Sequence, residues 1–189
     1  MENTVKIPSF LHEIHGEQSN WFDITATHLV ALFTVIAALF TANDLNLATW
    51  QTALLILLAY DLGGGVLANF TYSTKWYYDQ SQTRRLVFLS LHFLQPLLMC
   101  LVFPVHWIGI ALFSAYTVTA SFMTNAIRYP QKQLTIGAIL SLTGIIVLHS
   151  LHISLPPTIG LLLTLFLLKL PLSFSVRWYR LEKFKTKIN

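Results

Sequence analysis

Charge is what this sequence is shortest of. Only 11% of its 189 residues are Asp, Glu, Lys or Arg, less than half of the roughly 25% found in an ordinary soluble domain. With 54% hydrophobic residues and a mean hydropathy of +0.60, a water-soluble fold would have nowhere to place its apolar surface, which puts the chain in the membrane class. Cysteine is almost absent: Cys100 stands alone, so an intramolecular disulfide and a cysteine-pair redox centre are both excluded, and it reads as a small buried hydrophobe. The common catalytic signatures are missing as well. There is no His-Glu-x-x-His helix, no Gly-x-Ser-x-Gly elbow and no P-loop.

A formal net charge of +4 and a pI near 9.3 could suggest nucleic acid. The positive residues are instead spread over short loops and a tail, where membrane topology accounts for them. The leader ahead of the first apolar run carries Glu13, Glu17 and Asp23, unlike the basic start of a removable signal peptide, so the first span is expected to be retained.

What is present is apolar sequence in long runs. A hydrocarbon core of about 30 Å needs about 20 mostly apolar residues, and every backbone polar group inside it must be satisfied within its own helix. Six such windows fit, at about 22–42, 48–70, 85–103, 105–125, 133–153 and 157–177. Asn43-Asp44, Pro104 and Pro156-Pro157 supply turn chemistry between the first and second, third and fourth, and fifth and sixth. The expected fold is an all-α integral membrane protein, a single six-helix bundle over residues 1–189.

Orientation follows from the basic residues. Lys75, Arg84 and Arg85 fall between spans two and three, and Arg128 and Lys132 between four and five. Arg177, Arg180, Lys183, Lys185 and Lys187 follow span six, and Lys6 precedes span one. The three opposite loops hold no lysine or arginine, so both termini are expected in the cytoplasm, with the plasma (inner) membrane as the host. Trp21, Trp50, Trp76, Tyr77, Tyr78, Trp107, Trp178 and Tyr179 lie at span ends, as an interfacial aromatic belt does. Ser9 is expected to cap a short amphipathic turn over Phe10 to His15 at the membrane surface.

Four ionisable residues fall inside spans, where each costs roughly 2.5–3.5 kcal/mol and needs a partner, a cavity or a task. They are His28, Asp61, His92 and Lys169, and at about 1.5 Å per residue they lie about 9–13 Å from the cytoplasmic ends of four different helices. Span two is the richest, with Asp61, then Gly63-Gly64-Gly65, Asn69 and Thr71. A helix softened there could unwind and present Asp61 and free carbonyls to a ligand. The other reading is close helix packing with Asp61 neutralised by Lys169. The triplet Asn69-Phe70-Thr71 matches a glycosylation acceptor but falls on the cytoplasmic face.

In span three, Pro96 displaces the carbonyl of His92 from its helical bond, with Gln95 on the same face. Pro171 should bend span six and free the carbonyl of Leu167 as a further acceptor for Lys169. Ser114, Thr117, Ser121 and Asn125 form a polar stripe on span four, either helix-to-helix glue or the remaining wall of a cavity around Asp61 and His92. His149 with His152, and His12 with His15, could hold a metal or sense pH, or could simply be interfacial.

These residues favour a small transporter or substrate-binding membrane component with a polar site in the cytoplasmic half. Its ligand-binding residues would be Asp61, Gly63, Gly64, Gly65, Asn69, His92, Gln95, Asn125 and Lys169. An intramembrane enzyme acting on a lipid or amphiphile, with His92 and Asp61 as base and orienting acid or with His28, Asp61 and His92 as metal ligands, is the first alternative. A noncatalytic partner subunit or assembly factor is the second. The expected partners are the lipid bilayer and a small-molecule or ion substrate, with no nucleic acid; no cofactor or protein partner is named by the residues.

The orientation is checked by single cysteines placed in a chain lacking Cys100. Positions Asp44 and Pro156 should label from the outer face, and Asp79, Pro130 and Lys185 from the cytoplasmic face; outer labelling at Asp79 would reverse the topology.

Overall fold

A computed structural model describes residues 4–150 and 155–177. A two-stranded antiparallel ribbon opens the chain, β1 (Thr4–Lys6) pairing Thr4 with Asn20 and Lys6 with Gln18 of β2 (Gln18–Asn20). Between the strands a 3-10 turn at Ser9–Leu11 leads into α1 (His12–His15). The turn is preceded by Pro8, which has no side-chain capping bond, so Ser9 does not cap the segment as its position suggested. Glycine ends α1 because Gly16 takes φ +69° and its α-carbon lies against the Ser73 backbone, where a side chain has no room.

Six helical stretches are long and apolar enough to cross a membrane: 21–41, 49–68, 82–102, 104–126, 130–150 and 157–174. The first is α2 (Trp21–Thr41), whose start is capped by Asn20 accepting the Asp23 backbone N–H at 2.7 Å. The second is α3 (Thr49–Ala68), followed by a short surface helix α4 (Tyr72–Asp79). The third is split into α5 (Gln82–Leu91) and α6 (Leu94–Val102), interrupted at His92-Phe93. That break sits where Pro96, which has no N–H, leaves the His92 carbonyl without its helical donor. The fourth and fifth are α7 (Trp107–Ala126), entered through a 3-10 turn at Pro104–His106, and α8 (Pro130–Ser150). The sixth begins as α9 (Pro157–Leu167) and widens into a π-helix over Leu168–Phe174 around Pro171.

Cross-links show that the spans alternate in direction. At one end Arg85 of α5 meets Asn125 of α7, and Gln133 of α8 meets Arg177 beyond span six. At the other, Thr158 of α9 donates to Thr41 of α2 at 3.0 Å, and Gln51 of α3 donates to the Val102 carbonyl at 2.9 Å.

Helices α2 and α3 pack closely because both present small residues. The buried face of α2 is Thr27, Ala31, Thr34 and Ala38, at helical spacing, and it receives Gly63 and Gly64 of α3. Leu29, Leu32, Phe33, Ile36 and Phe40 point away from the bundle and are exposed, as a lipid-facing surface requires. The core proper gathers around α3, α6, α7 and span six, with Leu55, Leu62, Met99, Ile110, Leu163 and Phe166 buried.

Of the residues expected to form an aromatic belt, Trp21, Trp50, Trp76 and Trp107 are exposed. Tyr78 departs from it. It is buried edge-on against Phe88 and Phe174, with ring centroids at 4.9 and 5.0 Å, and burial raises its phenol above the ordinary tyrosine range. Trp178 and Tyr179 lie outside the described residues.

The glycine series tests this packing. A Cβ at Gly63 would lie 2.6 Å from Thr34 Cβ, one at Gly64 would lie 3.1 Å from Ala31 Cβ, and one at Gly160 meets only His149 Cε1 at 3.7 Å. Gly63→Ala should destabilise by roughly 1–3 kcal/mol, Gly64→Ala by less, and Gly160→Ala should be neutral or stabilise by up to about 1 kcal/mol. Thermal unfolding in detergent orders the three, and equal shifts would contradict the close approach at Gly63.

Candidate functional site

Asp61 lies on α3 seven residues before its last residue, and Lys169 lies in the π-helical part of span six. The Lys169 Nζ donates to Asp61 Oδ2 at 2.9 Å and to the Asp61 carbonyl at 3.2 Å. The ammonium is almost fully enclosed, with 2% of its side-chain surface exposed, whereas 56% of the Asp61 side chain is open. Gln95 Nε2 also donates to Asp61 Oδ2. One carboxylate oxygen therefore accepts both donors, and Oδ1 has no hydrogen-bond partner among the described residues.

Gly65 explains how the lysine fits. A Cβ there would sit 2.8 Å from Lys169 Nζ and closer still to Cε, so the glycine leaves room for the side chain as it lies and a Cβ would displace its end. The helix is continuous through Gly63-Gly64-Gly65. An unwound segment offering free carbonyls is therefore not formed: Gly63 and Gly64 serve the contact with α2, and Gly65 admits Lys169.

Asp61 opens into a cavity of about 550 Å³ walled by α2, α3, α5 and α6. Gly64, Gly65, Asn69, His92, Gln95, Lys169 and His28 line it with Asp61. The His92 Nδ1 faces the Phe88 carbonyl at 2.7 Å, which makes it the donor nitrogen and leaves the Nε2 lone pair without a partner among the described residues. Gln95 Oε1 is buried and has no donor among the described residues. Asn69 is buried at the end of α3, its Nδ2 at 3.5 Å from the Lys169 carbonyl, which takes it out of reach as a glycosylation acceptor.

Two proposed members of the site lie elsewhere. Gly63 faces Thr34. Asn125 instead accepts Arg85 Nε at 2.9 Å, and within its stripe Thr117 donates to the Phe113 carbonyl and Ser121 to the Thr117 carbonyl, both along α7 itself. The stripe does not wall the cavity. The Leu167 carbonyl is taken by Ser141 Oγ at 3.2 Å rather than by Lys169.

His28 lines the cavity but its nitrogens are engaged, Nε2 with His15 Nε2 at 3.2 Å and Nδ1 with the Tyr60 hydroxyl at 2.6 Å. Burial first, and then the neighbouring His28, hold the His15 ring below the ordinary histidine range. No group of three His, Cys, Asp or Glu side chains with metal-binding spacing occurs among the described residues, so His28, Asp61 and His92 are not assembled as a ligand set. His12 Nε2 contacts the Ile7 carbonyl at 2.8 Å, His149 contacts Thr164, and His152 lies outside the described residues.

A second polar cluster escaped the sequence reading altogether. Lys75 and Arg85, counted there as loop charges facing water, are 3% and 1% exposed. Lys75 Nζ donates to the carbonyls of Ser173, of Phe174 at 2.8 Å and of Val176 at 2.8 Å. Arg85 Nη2 donates to those of Phe174 and Ser175, both at 3.0 Å. These are the carbonyls a helix leaves unsatisfied at its C-terminus, where cations are favoured. Burial, followed by the Arg85 charge, still pushes the Lys75 amine well below the ordinary lysine range. The placement of Lys75 five residues past the expected end of span two, and of Arg85 at the expected start of span three, was the only signal available.

No protein-family model, curated protein or solved structure matches this chain.

The ion pair yields an asymmetric prediction. Asp61→Asn strands a buried ammonium and should approach the roughly 3–5 kcal/mol of an uncompensated buried charge. Lys169→Met leaves a carboxylate that is half open and should cost less. The double variant should recover part of the combined loss in detergent melting experiments, and strictly additive losses would mean that the two do not interact.

Proposed function

We propose that this chain is a small multi-pass membrane transporter or substrate-binding membrane component whose ligand occupies the cavity at Asp61. The observation that carries the reading is the arrangement of Asp61 itself. One carboxylate oxygen is held by Lys169 and Gln95, while the other faces open space in the interior of an apolar bundle. An ion pair serving only as glue gains nothing from leaving half of its carboxylate uncovered, since each exposed acceptor in an apolar setting is costly. A carboxylate fixed on one side and vacant on the other is suited to meeting a ligand.

The enzyme alternative asks for a His92–Asp61 dyad, and the His92 Nδ1 is committed to the Phe88 carbonyl instead. Binding and carriage therefore rank ahead of acid–base chemistry. The orientation that goes with the proposal places both termini in the cytoplasm and the cavity in the cytoplasmic half, in the plasma (inner) membrane, on the strength of the basic residues between the spans.

Uptake of a radiolabelled small-molecule panel into proteoliposomes tests the role. Any compound carried by the wild-type chain should be carried at least about tenfold more slowly by Asp61→Asn, the effect of losing a hydrogen bond to a charged group. Unchanged uptake would remove Asp61 from the mechanism.

A further inference from the structure

The polar equipment of the cavity is one-sided. Asp61 Oδ1, Gln95 Oε1 and, in the tautomer that donates Nδ1–H to the Phe88 carbonyl, His92 Nε2 are three acceptors with no donor supplied by the described residues. Gln95 is more than nine-tenths buried, so its carbonyl oxygen cannot turn to bulk water for a partner. Buried acceptors are almost always satisfied, and leaving one unmade costs more than a hydrogen bond contributes. Whatever occupies this space must bring N–H or O–H groups.

Charge narrows the class. The carboxylate of Asp61 is already balanced by Lys169 at 2.9 Å. A second cation would have to share Asp61 with an ammonium that cannot leave its enclosure, and like charges at a few ångströms repel strongly in an apolar setting. A carboxylate or phosphate fares worse, because it would face three acceptors. Glu13, on α1, is the remaining charged residue of the lining, and it is exposed, so solvent screens it. The interior therefore suits an uncharged donor.

The walls define the rest of the ligand. Leu57 of α3, Leu91 of α5 and Leu94 of α6 line the cavity and are also among the strongly exposed apolar residues of the membrane-crossing helices. The apolar wall thus continues onto the surface that faces lipid. Along α3 the lining runs from Leu54 to Asn69, about 22 Å at the helical rise, which is long enough for a hydrocarbon chain lying beside the helix.

Resting on the carrier reading above, we propose that the substrate is a neutral amphiphile, a hydrocarbon chain with an uncharged hydroxyl- or amide-bearing head, entering from the bilayer. Its head donates to Asp61 Oδ1, Gln95 Oε1 and His92 Nε2, and its chain lies against Leu57, Leu91 and Leu94.

Four probes sharing one chain test this: 1-oleoylglycerol, methyl oleate, oleylamine and oleate, each added to the purified full chain and read by native mass spectrometry as the fraction retained. The expected result is retention of 1-oleoylglycerol at least about tenfold above methyl oleate, one donor hydrogen bond's worth. Its excess over methyl oleate should disappear in Gln95→Met and in Asp61→Asn. Gln95→Met preserves shape and leaves the ion pair intact, and its melting temperature without probe verifies that it folds. Equal retention of 1-oleoylglycerol and methyl oleate would overturn the donor requirement. Preferential, Asp61-dependent retention of oleylamine or oleate would overturn the neutral class while leaving the carrier reading in place. Retention of every probe indifferent to both substitutions would mean a cavity holding water or bulk lipid only, and would remove the carrier reading as well.

Discussion

One buried ammonium organises the interior of this bundle. Lys169 cannot reach water from its place in the last span, so its charge must be answered by something brought to it, and Asp61 is what α3 brings. Several features are arranged around that requirement. Gly65 keeps its side of α3 bare so that the lysine stem can pass. The π-helical widening around Pro171 alters the register in which Lys169 is presented. Gln95, placed just beyond the break that accompanies Pro96, adds a second donor to the same carboxylate oxygen. Fixing Oδ2 from one side leaves Oδ1 facing the cavity.

How much of this could be read in the sequence depends on the physics behind each residue. The six spans were legible because hydrocarbon thickness imposes a length that few other constraints imitate, and the observed limits differ from the expected ones by only a few residues. The Asp61–Lys169 pair was legible because two opposite charges in a dry interior have few other ways to be satisfied. The break in span three was legible from the missing N–H of Pro96. The glycine cluster was ambiguous in sequence, because close packing and local unwinding call for the same residue type. Only the position of Thr34 on a neighbouring helix separates them.

Other features were illegible for equally physical reasons. Lys75 and Arg85 follow the positive-inside rule in sequence whether their heads point to water or fold back onto a helix end, so burial leaves no trace in the pattern. Asn125 belonged by spacing to a stripe whose direction the spacing could not give, and its partner is forty residues away. The N-terminal ribbon consists of three-residue strands, too short for alternation to register. Tyr78 sits in a run of three aromatics where only the helix phase decides which one turns inward.

The capture of the span-six carbonyls by Lys75 and Arg85 bears on how the molecule is assembled in time. Those two cations belong to α4 and α5 and are synthesised roughly a hundred residues before Ser173 to Val176. Until the last span arrives, they have none of these acceptors. Once span six is in place, the same charges are withdrawn from water and become the fastening of its end. Lys75 and Arg85 thus form the clasp that closes the bundle. The order is built in, because the clasp cannot engage before the final residues of the span exist.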